Sequence, residues 1–471
     1  MERMSTLDAG FYFVEHENVP MHIGSLAVFE GPAPAFTDLL ALYAAKIPRV
    51  PRYRQVVRTT PFHILRPSWA DDEHFELDYH VRHAALPRPG GSAELKALAA
   101  RLFAQRLDRA RPLWEAWLIE GLKGGRWALL SKVHHCMVDG IGGSDLMAEL
   151  FSLDRHTAIE APDQWVAEQP PSIASQVADG MHDAARSLRQ LAALPGFLRG
   201  RLGSPSGALR FGVGLAGGAR RLSVPAASSL NGAIGPHRRW TWTTASLSDV
   251  KDIRSALGVT VNDVVLSAIT SAFRDLLDAR GELTDGVVVR ALVPVSLRGA
   301  DQRDAVSNRI SAVLVNLPVG VREPLTRVQL LHDQMDDLKG TGQAAGAEML
   351  TELLGFAAPA LLAMGTRAAF RIPQPLVQAV TTNIPGPRFP LFLLGRKMVA
   401  AHPYVPIGDN LHLGIAVFSY LDRFSFAITA DYGAVSDAEL VVLTKGIRRG
   451  LADIGKRAAR AAVAEDGREV R

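Results

Sequence analysis

Residues 134–140, of sequence HHCMVDG, are the part of the chain whose residue types and spacing point most directly to chemistry. An imidazole titrates near neutral pH, so a histidine here is able to take a proton from an attacking hydroxyl or thiol, a role worth about 10²- to 10⁴-fold in rate. Asp139 lies four residues after His135 and is placed to fix the turn through a salt bridge or a hydrogen bond. The segment therefore predicts a general-base site.

Three other interpretations of this segment stay open. In the first, one histidine caps a turn and the other packs in the core. In the second, His134, His135 and Asp139 bind a metal ion, since two imidazoles and a carboxylate form a familiar zinc set. In the third, Cys136 is a thiolate nucleophile beside a histidine base. Neighbouring side chains of an extended segment point to opposite faces, which disfavours the last two, so we expect no metal site.

A strand and a helix must position this segment. Residues 127–133 (WALLSKV) predict a buried strand and residues 143–151 a short helix, which places the histidines at a strand end. Ser436 and Glu439 have the spacing of a capping box and predict the start of a C-terminal helix. Apolar runs predict four more strands, at residues 287–295, 309–319, 411–420 and 424–432. Apolar residues at helical spacing predict one more helix, at residues 262–281. The sequence thus predicts an α/β chain in two halves.

Composition excludes several classes of protein. The chain has 471 residues, of which 48% are hydrophobic and 21% charged, so it is long enough for two or three domains and is not disordered over most of its length. The net charge of +4 comes from 52 basic and 48 acidic residues, too balanced to predict a nucleic-acid partner. Its one cysteine, Cys136, cannot form an intramolecular disulfide. With no export signal or spanning apolar segment in view, we expect a cytoplasmic protein.

Most of the excess positive charge lies in residues 171–225, which contain seven arginines and only two aspartates. Apolar residues at near-helical spacing and then a run of Gly, Pro and Ser predict helical pieces in a linker. Two interpretations stay open for this segment. It is a solvated connector between domains, or it docks the protein on an anionic lipid surface through its arginines and nearby leucines and phenylalanines.

The HHxxxDG pattern of residues 134–140 resembles the CoA-dependent acyltransferase superfamily, which includes chloramphenicol acetyltransferase and the condensation domains of peptide synthetases. Other segments are similar to one branch, the bacterial wax ester synthase/diacylglycerol acyltransferase family, and to its actinobacterial triacylglycerol synthases in particular. They cover nearly the whole chain in family order. These segments are residues 7–9 (LDA), 20–24 (PMHIG), 107–109 (LDR), 111–115 (RPLWE), 261–265 (VNDVV), 293–298 (VPVSLR), 308–311 (NRIS), 382–387 (TNIPGP) and 419–420 (SY).

The resemblance implies an α/β fold of two chloramphenicol-acetyltransferase-like domains, with mixed sheets, flanking helices and an active-site tunnel between them. The expected bounds are residues 1–170 for the N-terminal domain with the HHxxxDG motif, 171–230 for a basic helical linker and 231–471 for the C-terminal domain. One departure concerns residues 421–427, where relatives often carry glycines, so the local turn geometry is open.

The resemblance also implies the reaction. Acyl-CoA would be the donor of a long-chain fatty acyl group and diacylglycerol the acceptor, giving triacylglycerol, and acyl-CoA would be a substrate with no cofactor required. The nearest alternative is wax ester synthesis with a fatty alcohol as acceptor. An alternative from another class is a non-catalytic lipid-binding protein, and a peripheral place at the inner membrane face or on a lipid droplet fits either class.

Roles for the motif residues follow from the same resemblance. His135 would be the general base that deprotonates the acceptor hydroxyl, and His134 would orient the loop or line the tunnel. Asp139 would be structural, and Gly140 would give the turn its backbone freedom.

Two residues outside the motif are candidates for contact with substrate. Asn262 would face His135 from the second domain as a hydrogen-bond donor, or would instead cap the helix that it starts. Arg298 would pair with a carboxylate, such as that of Asp139, or would meet a CoA phosphate.

Overall fold

The computed structural model describes residues 2–60, 66–138, 146–155, 165–168, 224–296, 310–340 and 376–469. The helices are α1 (Thr6–Val14), α2 (Phe36–Lys46), α3 (Leu77–His80), α4 (Ser92–Ala104), α5 (Leu146–Leu150), α6 (Leu247–Leu257), α7 (Val261–Ala279), α8 (Pro324–Gly340) and α9 (Asp437–Glu469). The strands are β1 (His22–Phe29), β2 (Gln55–Arg58), β3 (Ser68–Asp71), β4 (Val81–Ala85), β5 (Trp114–Leu122), β6 (Arg126–His134), β7 (Arg238–Ser246), β8 (Val289–Ser296), β9 (Ile310–Leu317), β10 (Ala379–Ile384), β11 (Phe392–Leu393), β12 (Arg396–Tyr404), β13 (Leu413–Tyr420) and β14 (Arg423–Asp431).

The first sheet has the strand order β11-β12-β1-β6-β5-β4 and carries the HHxxxDG motif at the end of β6. Strand β1 lies antiparallel to β6, with His22 opposite His134, and antiparallel to β12 on its other side. Two strands from late in the chain therefore extend a sheet that otherwise comes from its first third. The domain bounds at 1–170, 171–230 and 231–471 stay a prediction, and this exchange of strands is a feature that they do not include.

The second sheet has the order β7-β14-β13-β10-β8-β9. Its central strands β13, β10 and β8 run parallel, and antiparallel strands complete both edges. Helix α7 lies in the same hydrophobic core as these strands, and its apolar stripe of Val265, Ile269, Phe273 and Leu276 is fully buried. This stripe recurs every three or four residues, which is the spacing that the sequence predicted for a buried helical face.

Aromatic side chains hold the two sheets together. Phe103 of α4 stacks on Tyr404 of β12 with the ring centres 4.2 Å apart, and it meets Trp240 of β7 edge-on at 5.2 Å. Trp242 stacks on His402 at 4.1 Å. Because these residues come from both halves of the chain, burial of their rings stabilises the contact between the sheets.

The described residues confirm the α/β class, with mixed sheets and flanking helices. The predicted strands at 127–133, 287–295, 309–319, 411–420 and 424–432 correspond to β6, β8, β9, β13 and β14, and the predicted helix at 262–281 is α7. The Ser436–Glu439 capping box is present, since the Ser436 N–H donates to Glu439 Oε2 (2.7 Å) and the Glu439 N–H donates to Ser436 Oγ (3.3 Å). Of the helix predicted at 143–151, the structure describes residues 146–151, and α5 covers five of them.

Two other predictions concern the basic segment and the turn between β13 and β14. Nearly all of the basic segment, residues 171–223, lies outside the described residues. The turn between β13 and β14, where relatives often carry glycines, places Leu421 at φ 53°, a left-handed conformation that glycine adopts at lower cost.

Within the described ranges, no single helix is long and apolar enough to cross a membrane. The pair α6 and α7 passes by length and composition only when taken together, and the two helices meet at a bend of 106°.

Candidate active site

The end of strand β6 positions the histidine pair. His134 is the last residue of the strand and is fully buried, whereas His135 begins a single 3-10 turn that runs to Met137. The His135 N–H donates to the carbonyl oxygen of Met21 (2.8 Å), and the Cys136 N–H donates to His134 Nδ1 (3.2 Å). Two hydrogen bonds from backbone N–H groups therefore fix the chain on either side of the His135 Cα atom.

The ring of His135 lies against an aromatic wall. It stacks on Phe11 of α1 with ring centres 3.9 Å apart and an interplanar angle of 26°. Its Nδ1 atom is buried and has no hydrogen-bond partner among the described residues. Burial lowers the pKa of His135 to about 4. The imidazole is consequently neutral at pH 7 and able to accept a proton.

Beside His134 lies a buried carboxylate, Glu15, whose side chain is 0% exposed. Its Oε2 atom accepts a hydrogen bond from the Met21 N–H (2.9 Å) and lies 3.4 Å from His134 Nε2. Its Oε1 atom accepts from Arg109 Nε (3.0 Å) and lies 3.5 Å from Arg106 Nη2. The structure thus brings Glu15 at the end of α1, Arg106 and Arg109 from the segment after α4, and His134 of β6 into one ionic cluster.

Burial by itself would raise the pKa of Glu15. The contact with His134, the Met21 N–H and the charge of Arg109 outweigh that effect and hold the pKa well below its usual range. Glu15 is therefore ionised at every pH at which the protein would work. Our sequence analysis did not identify this residue. The available signal was an acid directly after an apolar stretch and five residues before the PMHIG segment, with Arg109 in a second family-like segment.

Cys136 lies in the core of the first half with 2% exposure, and burial raises the pKa of its thiol well above the usual value. A thiolate is therefore strongly disfavoured at this position, which agrees with a packing role. The two histidines contact different neighbours: Glu15 lies against His134 and Phe11 against His135. In the described part of the chain, no three residues of the His, Cys, Asp or Glu types are grouped as metal ligands.

The second candidate region is the first turn of α7. Thr260 is the N-cap: the Asp263 N–H donates to Thr260 Oγ1 (3.2 Å) and the Thr260 N–H donates to Asp263 Oδ2 (2.9 Å). The interpretation of Asn262 as the helix cap is therefore wrong, because Thr260 and Asp263 fill that role. The Asn262 side chain instead accepts a hydrogen bond at Oδ1 from Asn383 Nδ2 (3.3 Å).

This contact joins two segments that the sequence analysis treated separately, residues 261–265 and 382–387. The second segment is fixed in turn to the end of β13, where the Gly386 N–H donates to Ser419 Oγ (3.0 Å). A Cβ atom at Gly386 would lie 2.0 Å from the Ser419 carbonyl oxygen, so only glycine fits at this approach. Residues 382–387, which include the end of β10, are therefore held closely against the end of β13.

An apolar cluster connects the two candidate regions. Phe11, which stacks on His135, also packs against a buried cluster that spans both halves of the chain, and Val380 of β10 packs against the same cluster. Asn383 lies three residues beyond Val380 on that strand, or about 10 Å at the usual rise of a strand. No hydrogen bond links Asn262 to His135 among the residues that the structure describes. The cluster members are Val14, Val19, Met21, Ile234, Ile407 and Leu411.

Three predicted site residues, Asp139, Gly140 and Arg298, lie outside the described residues. Their roles stay predictions from the sequence. Of the predicted site, the structure therefore describes His134 and His135 at the end of β6 and Asn262 at the start of α7.

The family model described as the wax ester synthase/diacylglycerol acyltransferase catalytic domain matches residues 4–265, and that of the WS/DGAT C-terminal domain matches residues 306–454. A probable diacylglycerol O-acyltransferase of Mycobacterium tuberculosis (strain ATCC 25618 / H37Rv) is 38% identical over 450 residues, which cover 93% of each chain. A putative diacylglycerol O-acyltransferase of the same strain is 34% identical over 96% of this chain and 90% of its own length.

Solved structures give the same result for the fold. The wax ester synthase/diacylglycerol acyltransferase from Marinobacter aquaeolei VT8 superposes with a TM-score of 0.67 at 25% identity, covering 98% of this chain and 100% of that one. The trichothecene 15-O-acetyltransferase of Fusarium sporotrichioides superposes with a TM-score of 0.62 at 14% identity, covering 96% and 94%. The expected two-domain acyltransferase fold is confirmed.

Proposed function

Because the chain belongs to the wax ester synthase/diacylglycerol acyltransferase family, we propose that it is an O-acyltransferase that moves a long-chain fatty acyl group from acyl-CoA to the hydroxyl of diacylglycerol, forming triacylglycerol. The observation that carries the proposal is His135, a neutral imidazole held at a strand end by backbone hydrogen bonds and stacked on Phe11. A base of this kind is what attack by a hydroxyl on a thioester requires.

In the proposed step, Nε2 of His135 removes the proton of the acceptor hydroxyl while the hydroxyl oxygen attacks the thioester carbonyl carbon. Nε2 is assigned because Nδ1 is buried without a partner among the described residues. The tetrahedral intermediate then collapses, the bond from carbon to sulfur breaks, and the CoA sulfur receives the proton from the imidazolium. The ester forms and free CoA leaves, so atoms and charge balance within one ternary complex.

Asn262 is the proposed donor to the developing oxyanion. Its carbonyl oxygen is directed to Asn383, so the donor end of the amide points away from that contact. A fixed amide N–H near a developing oxyanion is worth about 10²- to 10³-fold in rate. Asp139 and Gly140 are proposed to shape the turn after His135, and Arg298 to pair with a carboxylate or with a CoA phosphate.

Acyl-CoA serves here as a substrate, and the proposal includes no cofactor or metal. A thioester is already activated, so the reaction needs a base, a donor for the oxyanion and exclusion of water. The tunnel between the two halves is proposed to provide that exclusion, and the apolar cluster around Phe11 and Val380 supports it.

The acceptor is the least constrained part of the proposal. The Mycobacterium tuberculosis relative is named for diacylglycerol, and the Marinobacter protein for both wax ester and diacylglycerol chemistry. A fatty alcohol is therefore retained as the alternative acceptor. Since both acceptors are lipids, we also propose a peripheral position at the inner membrane face or a lipid droplet, with residues 171–225 as the basic contact.

The experiment is an acyl-transfer assay with purified protein, labelled palmitoyl-CoA and either diacylglycerol or a long-chain alcohol. His135→Ala is measured alongside, and His83→Ala serves as the matched control because His83 is exposed and pairs with Glu120 away from the site. Triacylglycerol that disappears in His135→Ala alone supports the proposal. Wax ester alone would move the acceptor to a fatty alcohol, and ester formation that survives in His135→Ala would contradict the assignment of the base.

A further inference from the structure

We propose that Glu15 is the positioning residue of the His135 turn, and that its single oxygen Oε2 organises both hydrogen bonds, from the N–H groups of His135 and Cys136, that hold His135 in place. The inference rests on the proposed function, in which His135 is the base. It assigns to Glu15 no contact with substrate.

The first route runs through Met21. Glu15 Oε2 accepts a hydrogen bond from the Met21 N–H (2.9 Å), and the Met21 carbonyl oxygen accepts one from the His135 N–H (2.8 Å). The peptide units on both sides of Met21 are thus held between the carboxylate and the catalytic turn. A displacement of Glu15 would move the acceptor of the His135 N–H.

The second route runs through His134. The Cys136 N–H donates to His134 Nδ1 (3.2 Å), so that nitrogen must be unprotonated, and the proton of the neutral ring sits on Nε2. Nε2 faces Glu15 Oε2 at 3.4 Å. Nε2 forms no hydrogen bond among the described residues, so the effect of the carboxylate is electrostatic: its negative charge favours the proton on Nε2, and this tautomer of His134 is able to accept the N–H directly after His135.

Ion pairs stabilise this arrangement. A carboxylate with 0% exposure is costly to bury unless it is paired, and Glu15 is paired with Arg109 (3.0 Å) and Arg106 (3.5 Å). Arg109 is itself fixed, since its Nη2 donates to the Tyr12 carbonyl oxygen (2.6 Å) and its guanidinium lies 4.3 Å from the centre of the Tyr12 ring. The same helix, α1, places Phe11 on the His135 ring. One cluster thus fixes both the backbone and the ring of His135.

The test compares Glu15→Gln and Glu15→Asp with Glu120→Gln. Glutamine keeps the shape of Glu15 and removes its charge, and aspartate keeps the charge but is one methylene too short to reach both Met21 and His134. Glu120→Gln is the matched control because it breaks another contact between a glutamate and a histidine, the exposed pair with His83 (3.1 Å) on the same sheet. Each variant is assayed for kcat and KM below its unfolding temperature.

We expect Glu15→Gln to lower kcat about 10- to 100-fold with little change in the KM for palmitoyl-CoA, because a misplaced base affects the chemical step. Glu15→Asp should recover part of the loss, and Glu120→Gln should match the wild type. A loss of activity that only follows the unfolded fraction, or an unchanged kcat in folded Glu15→Gln, would overturn the proposal.

A second readout needs no substrate. In protein labelled with ¹⁵N at histidine, the ring signals of His134 and His135 are assigned with His134→Asn and His135→Ala. We expect Glu15→Gln to shift both sets of ring signals and to abolish the Nε2–H pattern of His134, while Glu120→Gln leaves them in place. Unchanged signals would overturn the role of Glu15. If the wild type transfers no acyl group, the proposed function fails and these signals still decide the role of Glu15.

Discussion

Asn262 and Asn383, separated by 121 positions in the sequence, meet side chain to side chain at 3.3 Å. The contact joins the first turn of α7 to the end of β10, the strand that carries Val380 to the cluster beside His135. The adjacent Asp263 is also held from a third element, since its Oδ2 lies 2.8 Å from His332 Nδ1 of α8. The position of Asn262 is therefore fixed from several directions, which its proposed role as a donor to the oxyanion requires.

We expect Asn262→Ala to lower kcat about 10²- to 10³-fold, because a preorganised donor to the oxyanion is lost. Asn262→Asp is the discriminating variant: a carboxylate retains an acceptor for Asn383 Nδ2 but has no N–H to donate. Steady-state kinetics with palmitoyl-CoA should therefore show similar losses for both variants. Recovery of activity in Asn262→Asp would mean that the contact with Asn383, and not donation to the substrate, is what matters.

The pH dependence of activity should reflect the low pKa of His135. Burial lowers that pKa to about 4, so the imidazole of the free enzyme is neutral, and able to act as a base, above that pH. We expect kcat/KM to fall as the pH decreases through about 4. Between pH 5 and 8, titration of His135 should cause no change in kcat/KM. Rates measured across buffers of constant ionic strength check this. A decrease of kcat/KM centred near pH 6.5, at pH values where the protein stays folded, would contradict the burial of His135.

The types and spacing of residues were sufficient to predict part of the site. His135 at a strand end and the α7 helix follow from local patterns, an apolar run before a polar pair and a regular helical stripe. Asn262 shows where local pattern fails: Thr260, Asn262 and Asp263 are all suitable for the start of a helix, and only the fold shows that Asn262 turns to Asn383. Glu15 was missed because its charged partners, Arg106, Arg109 and His134, lie far along the chain, where no periodicity connects them to it.

In the fold, too, features with a local sequence signal were predicted and features that depend on distant segments were not. Strands β8, β9, β13 and β14 were predicted because each contains its own apolar signal. The pairing of β12 with β1 was not, because the choice of neighbour depends on packing between distant segments. The two-domain fold was predicted from family resemblance, and the exchange of strands between the halves required the structure.

Replacement of Gly386, which lies closely against Ser419, should disturb the segment of residues 382–387 at the end of β10. A Cβ atom at Gly386 would lie 2.0 Å from the Ser419 carbonyl oxygen and 2.5 Å from the ring of Phe418. We expect Gly386→Ala to lower the free energy of unfolding by about 1–3 kcal/mol, as overpacking does, and to lower kcat by displacing Asn383. Gly408→Ala is the control, since its Cβ would meet its nearest neighbour at 4.0 Å. Equal unfolding midpoints for the two variants in urea would contradict the close approach.

Stability should decrease in mild acid because several buried histidines are neutral in the folded state. His402 is the clearest case: it is 4% exposed, lies 2.7 Å from Ser425 Oγ through Nδ1, and burial lowers its pKa to about 3. The unfolded chain takes up this proton near pH 6.5 and the folded chain does not, so the folded state loses stability as the pH falls below 6.5. From this group alone, the free energy of unfolding should fall by about 2 kcal/mol between pH 7 and pH 5.

Urea denaturation of the wild type and of His402→Gln at pH 7 and pH 5 tests this prediction. Glutamine carries no titratable group and retains a polar contact for Ser425, so it should lower stability at pH 7 through the lost stack on Trp242 but weaken the dependence on pH. His83→Gln is the matched control, because His83 is exposed and its replacement should leave the pH dependence unchanged. If His402→Gln and the wild type lose the same free energy of unfolding between the two pH values, His402 is not the group that binds the proton on unfolding.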